Sequence, residues 1–181
     1  MPSVVLLSGS PSNWSRSSAL LTLVRRRLDD AGLSSQTFSI RDFPAVDLIL
    51  GRYDSEAFAG VKNALAQASA VVIASPVYKA SFTGGLKALL DILPQAGLRG
   101  KIVLPLATGG SPGHQLVIDY AFKPVLSALG ATDLHQGVYV VDKQITVGEQ
   151  GELTFLDQDL RKRFDESAER LIQQLRTAIA A

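Results

Sequence analysis

Short apolar runs alternate with longer amphipathic ones along this whole chain, and that alternation leaves few folds open. A strand followed each time by a helix pairs in parallel only after the chain crosses back over the sheet. The pattern therefore predicts a parallel sheet with helices on both faces. Five strands are expected, at Ser3–Leu7, Gln36–Ile40, Ala70–Ala74, Lys101–Leu106 and Leu134–Val141. The third and fourth are continuous apolar runs, as burial on both faces requires, whereas the second alternates and belongs near an edge. Helices are expected at Ala19–Ala31, Glu56–Gln67, Gly85–Leu93, His114–Leu129 and Asp157–Ala180. Leu20, Leu21, Val24 and Leu28 form the stripe of the first, which Gly32 stops. The last carries a core stripe of Leu160, Phe164, Leu171, Leu175 and Ile179. Arg41–Asp54, with Pro44, reads as loop; Asp54 or Ser55 caps the second helix, and Asp142–Glu152 is a polar excursion.

This is the doubly wound, flavodoxin-like α/β arrangement, with five parallel strands in the order 2-1-3-4-5 and one domain over residues 1–181. Ligands in such folds lie outside the strand carboxyl ends, at the switch point between strands one and three. Three unusual loops follow strands one, three and four, so they converge there. The first, Ser8 to Ser18, holds Ser, Gly and Arg16 between a strand and a helix. Free N–H groups and the positive end of the helix dipole make that an anion site, which Ser hydroxyls and the Arg16 guanidinium would complete. A plain turn capped by Ser17 or Ser18 is the alternative. The spacing is neither the P-loop nor the dinucleotide glycine pattern. The second loop carries Tyr78 within Pro76-Val77-Tyr78, and the third is Thr108-Gly109-Gly110, where bare backbone can approach a flat ring. A phosphate cradle beside an aromatic wall and a glycine floor suits a phosphorylated planar heterocycle, and FMN has those parts.

A formal charge of +1 points neither to nucleic acid nor to a membrane surface. The absence of cysteine excludes disulfides, thiolate metal sites and thiol chemistry. No apolar run reaches the roughly 18–20 residues of a membrane span. Met1-Pro2-Ser3 runs directly into a strand without the pattern of a signal peptide, so a cytoplasmic location is expected.

Gly9-Ser10-Pro11 with Ser15-Arg16-Ser17, Pro76-Val77-Tyr78-Lys79, Gly85-Leu86-Lys87 and Leu106-Ala107-Thr108-Gly109-Gly110 resemble the NADPH-dependent FMN reductase family. The segment Asp119-Tyr120-Ala121-Phe122-Lys123-Pro124-Val125-Leu126 is similar to members that serve two-component alkanesulfonate monooxygenases. The similarity covers about residues 1–140. It implies hydride transfer from NADPH to FMN, delivery of reduced FMN to a separate monooxygenase, and a homo-oligomer, dimer or tetramer. By position, Ser10, Ser15 and Ser17 would hold the phosphate. Pro76, Val77 and Tyr78, with Lys79 beside them, would border the isoalloxazine, and Thr108, Gly109 and Gly110 would face its other edge. Many relatives have Arg where this chain has Ser12, a charge that Arg16 would replace. Tyr120 matches an inserted Tyr that produces a π-helical turn at a subunit interface near the flavin, where it would keep flavin loosely held; a packed helix aromatic is the alternative. The hydride chemistry belongs to the cofactors, so no side-chain acid or base is expected. His114 reads as a cap-region residue and His135 as structural. A flavodoxin-type electron carrier and an FMN-containing quinone or azo reductase stay open as other readings, although carriers are usually acidic.

Overall fold

A computed structural model describes residues 3–149 and 151–180. The strand β3 (Ala68–Tyr78) runs through its middle. Ala70 to Ala74 are wholly buried there, and their side chains alternate between two cores. Val71 and Ile73 face one core with α3 (Ala59–Gln67) and α4 (Gly84–Ile92), through Val61, Leu65, Leu86 and Leu89. Ala70, Val72 and Ala74 face the other, with α1 (Arg16–Asp30) and α6 (Gln158–Ala180), through Leu20, Val24, Leu28, Phe164 and Leu171. The sheet is thus covered on both sides, and the apolar runs of the sequence are explained by it.

Parallel to β3 lie β1 (Ser3–Ser8) on one side and β5 (Ile102–Gly109) on the other. Outside them are β2 (Ser34–Ser39) next to β1, and β6 (Asp133–Leu134) with β7 (Val138–Val141) next to β5. This is the expected order with two departures. A two-residue strand, β4 (Ser81–Phe82), adds antiparallel to the end of β3. The fifth strand, expected to run unbroken from 134 to 141, is split into β6 and β7. Pro105 accounts for the split. The N–H of His135 donates to Val103 O at 2.9 Å, so Val103 turns its backbone groups toward the edge strand. Alternate residues share a direction, which makes Pro105 the next to face that strand, and Pro has no N–H to give. The chain leaves the ladder opposite it at Gly137, whose φ is +81° and where a Cβ would lie 2.8 Å from Pro105 O.

The helix expected over 114–129 is in three pieces: a 3₁₀ turn at Pro112–Leu116, a π segment at Ile118–Phe122, and α5 at Lys123–Ala128. Lys123 N–H bonds the carbonyl of Ile118, five residues back. Pro124 cannot continue an α ladder, so the bonding resets around it. Other boundaries move for local reasons. Helix α1 begins at Arg16 because Ser15, not Ser17 or Ser18, is its cap. Within the 41–54 loop a short helix, α2 (Ala45–Ile49), follows Pro44. Ser55 caps a 3₁₀ turn, Glu56–Phe58, ahead of α3. The polar excursion after β7 forms a 3₁₀ turn, Asp142–Gln144, and a hairpin of β8 (Ile145–Val147) with β9 (Leu153–Phe155). Ile145 anchors that hairpin in the core. Within this excursion Gln150 lies outside the described residues, as does the side chain of Ile179 in the predicted stripe. No described helix is long and apolar enough to cross a membrane.

Candidate active site

The carboxyl end of the sheet is sealed by one buried hydroxyl. Gly9 N donates to Ala74 O at 2.8 Å, which sets the first loop on the end of β3. A Cβ on Gly9 would lie 2.9 Å from Leu86 Cβ, so glycine alone lets this loop rest on α4. Thr83, the cap of α4, is buried and donates from Oγ1 to Gly9 O at 2.6 Å. The same oxygen accepts from Leu86 N at 3.1 Å, and Thr83 N donates to Ser75 Oγ at 3.1 Å. Loop one, loop two and α4 therefore meet on Thr83.

Serines order the rest of the first loop. Ser10 is buried, and its Oγ accepts from Ser12 N at 3.1 Å. Ser15 Oγ accepts from Ser18 N at 3.1 Å and donates to Ser18 Oγ at 2.8 Å, with Ser8 Oγ 3.0 Å from the latter. Arg16 and Ser17 open α1, where N–H groups have no intrahelical carbonyl one turn back.

A cleft at this end is lined by Ser10, Ser12, Trp14, Ser15 and Arg16 of the first loop. Pro76, Val77 and Tyr78 of the second, Thr108, Gly109 and Gly110 of the third, and Asp142 just beyond β7 complete it. Nine of the predicted residues thus meet in one place. Three do not line it. Ser17 is wholly buried in the first turn of α1, its hydroxyl 3.2 Å from Ser15 Oγ. Lys79 is exposed at the turn between β3 and β4, with φ +49°. Tyr120 is 79% exposed on the π segment. Ser12, Trp14 and Asp142 are lining residues that the sequence analysis did not select, and Thr83 is the hidden one. Asp142 carried a usable signal, because it directly follows a parallel strand at its carboxyl end.

Electrostatically the cleft is nearly balanced. Arg16 Nη1 lies 3.8 Å from Asp142 Oδ2, and both side chains are part-exposed. Beneath the third loop, Tyr139 donates its hydroxyl to Ser111 O at 2.6 Å. Burial, and then the charge of Asp142, push the Tyr139 phenol above its ordinary pKa, so it stays a neutral donor. A Cβ on Gly109 would come within 2.5 Å of the Tyr139 hydroxyl, which keeps that backbone bare. Of the histidines, His114 is exposed in the 3₁₀ turn. His135 is buried with Nε2 2.5 Å from Gln174 Oε1, a structural place away from the cleft. Among the described residues no group of three His, Cys, Asp or Glu is placed to hold a metal ion.

The family model described as NADPH-dependent FMN reductase matches residues 2–146. The chain belongs to that family. FMN reductase (NADPH) of Pseudomonas putida is 48% identical over 166 residues, 92% of this chain and 84% of its own length. FMN reductase (NADPH) of Escherichia coli is 46% identical over 142 residues, 78% of this chain and 74% of its own. Among solved structures, the apo form of the NADH:FMN oxidoreductase EMOB superposes with a TM-score of 0.84 at 32% identity, covering 96% of this chain and 90% of the other. An archaeal flavodoxin, at 15% identity and a TM-score of 0.59, shares the fold.

The residues present fit the flavin of this family of oxidoreductases. Ser10, Ser12, Ser15, Arg16 and the start of α1 form a donor set suited to one phosphate. The bare backbone of Gly109 and Gly110, with Tyr78 and Pro76, forms the part suited to a flat ring.

Proposed function

We propose that this chain reduces free FMN with NADPH in the cleft and hands the reduced flavin to a separate monooxygenase of alkanesulfonate breakdown. The observation that carries the reading is the convergence of Ser10 to Arg16, Pro76 to Tyr78 and Thr108 to Gly110 on one cleft at the strand ends. The two relatives named FMN reductase (NADPH), at 48% and 46% identity, support NADPH and FMN as the reactants. When bound, FMN supplies the hydride-accepting chemistry.

The chain's own part is to bind and orient. Ser10 and Ser15 hydroxyls, the N–H groups opening α1 and the Arg16 guanidinium hold the phosphate. Pro76, Val77 and Tyr78 border the ring, with Lys79 next to them at the exposed turn between β3 and β4. The backbone N–H of Gly110, just beyond the end of β5, offers a donor to the ring edge where negative charge gathers. Tyr120 keeps the flavin exchangeable from its exposed place on the π segment, in a homo-oligomer whose subunit contact it joins. Its exposure and the π geometry support that role. Tyr120→Ala protein that retains FMN through purification is the expected result.

NADPH oxidation by dialysed protein, with and without added FMN, together with its absorption spectrum, tests the reading. A colourless protein that oxidises NADPH only when FMN is supplied is expected. A yellow protein turning over with quinone alone would replace the reading with a quinone or azo reductase, and no oxidation in either case with an electron carrier.

A further inference from the structure

We propose that Asp142 sets how weakly the cleft holds the flavin phosphate, an inference that rests on the reading of the cleft given above. Among the described residues, Arg16 is the one Lys or Arg lining the cleft, and Asp142 is its one carboxylate. Their charged groups stand 3.8 Å apart, at a half-exposed position where an ion pair adds little to folding. Its significance is for the ligand. A dianionic phosphate that reaches for Arg16 meets a carboxylate already there, and loses part of its attraction to the competing charge.

Asp142 is held where it has this effect. It opens a 3₁₀ turn directly after β7. Gln144, which closes that turn, accepts at Oε1 from Val141 N at 2.9 Å and donates from Nε2 to Asp157 Oδ2 at 2.6 Å. The backbone on either side of Asp142 is thereby tied to β7 and to the start of α6. Its carboxylate also reaches the third loop, since a Cβ on Gly110 would lie 3.9 Å from Oδ2. The same charge acts on Tyr139 below. Asp142 thus stands between the phosphate-binding loop and the ring-binding loop. A site for a resident cofactor gains nothing from an acidic group there. A site that must release its flavin does.

Asp142 acts on the phosphate, and riboflavin has none, so comparing the two flavins isolates the effect. Trp14 is the chain's single tryptophan and lines the cleft, so its fluorescence reports binding of either. Asp142→Asn keeps the side chain's shape and should tighten FMN about three- to tenfold while changing riboflavin less than about twofold. Raising the salt concentration should shrink the FMN gain. Asp142→Ala should give the same selective gain, which separates charge from amide hydrogen bonding. Equal changes for both flavins, no change for FMN, or weaker FMN binding would overturn the proposal, the last because Asp142 would then be positioning Arg16 for phosphate. Wild-type protein that binds neither flavin would overturn the reading of the cleft itself, and the proposal with it.

Discussion

Gly109 is bare because of a hydroxyl on the neighbouring strand. Gly109→Ala drives its methyl into the Tyr139 Oη and should cost about 1–3 kcal/mol of stability, read as a lower urea midpoint at unchanged slope. The next atom a Cβ would meet there, Tyr139 Cζ, is 3.4 Å away, an ordinary contact. Adding Tyr139→Phe should therefore restore much of the loss, and the double mutant should cost less than the two single changes summed. Thr83 makes a second case. Thr83→Ala leaves Gly9 O and Leu86 N without their buried partner. Removal of a cap and of a buried bond together should cost about 2–4 kcal/mol, and Thr83→Ser should recover most of it. Individual residues were the least legible level of the sequence. Ser17 reads like its serine neighbours, yet the helix starts three residues before Ala19 and turns that hydroxyl inward. Thr83 reads as an ordinary helix cap, and nothing local announces that it also holds Gly9.

Elements were far more legible, because apolar periodicity reports burial directly. The parallel order and the three converging loops follow from where the apolar runs stop. The misread elements each depend on a partner distant in sequence or on a single proline. Pro105 splits an edge strand that lies about thirty residues further along, a pairing that only the fold reveals. Pro124 resets one helix into a π segment and a short α-helix. Residues 142–152 look like loop because the hairpin they begin is mostly polar, and nothing in that stretch marks Asp142 as part of the cleft. The start of α6 gives a prediction at this scale. The N–H of Leu160, then the amide of Gln144, hold the Asp157 carboxyl below the usual carboxylate range. A value depressed in the folded state means stability that is whole above the unfolded carboxylate value, about 3.9, and is lost as pH falls through the depressed one. Asp157→Asn should therefore be less stable than wild type at neutral pH. Urea midpoints of the two should draw together below about pH 4.

At the level of the whole molecule the charge is close to balance, +1 over 181 residues. Long-range attraction of an anionic flavin is correspondingly weak, and the Arg16–Asp142 pair adds no local excess. Stopped-flow quenching of Trp14 should show an FMN association rate that varies less than about threefold between low and physiological ionic strength. A much steeper fall would show a field not accounted for by these charges. Binding then rests on the cleft itself, whose first two loops are joined at Thr83. That threonine, Gly9 and Ser75 fix the first two loops to each other through bonds made entirely within the protein. The binding loop is then ordered before flavin arrives and stays ordered after it leaves. Its conformational entropy is spent once, at folding, and not again in each catalytic cycle. On the function proposed above, delivery of reduced flavin would in this way be a matter of ligand dissociation alone, with no refolding step between one molecule carried and the next.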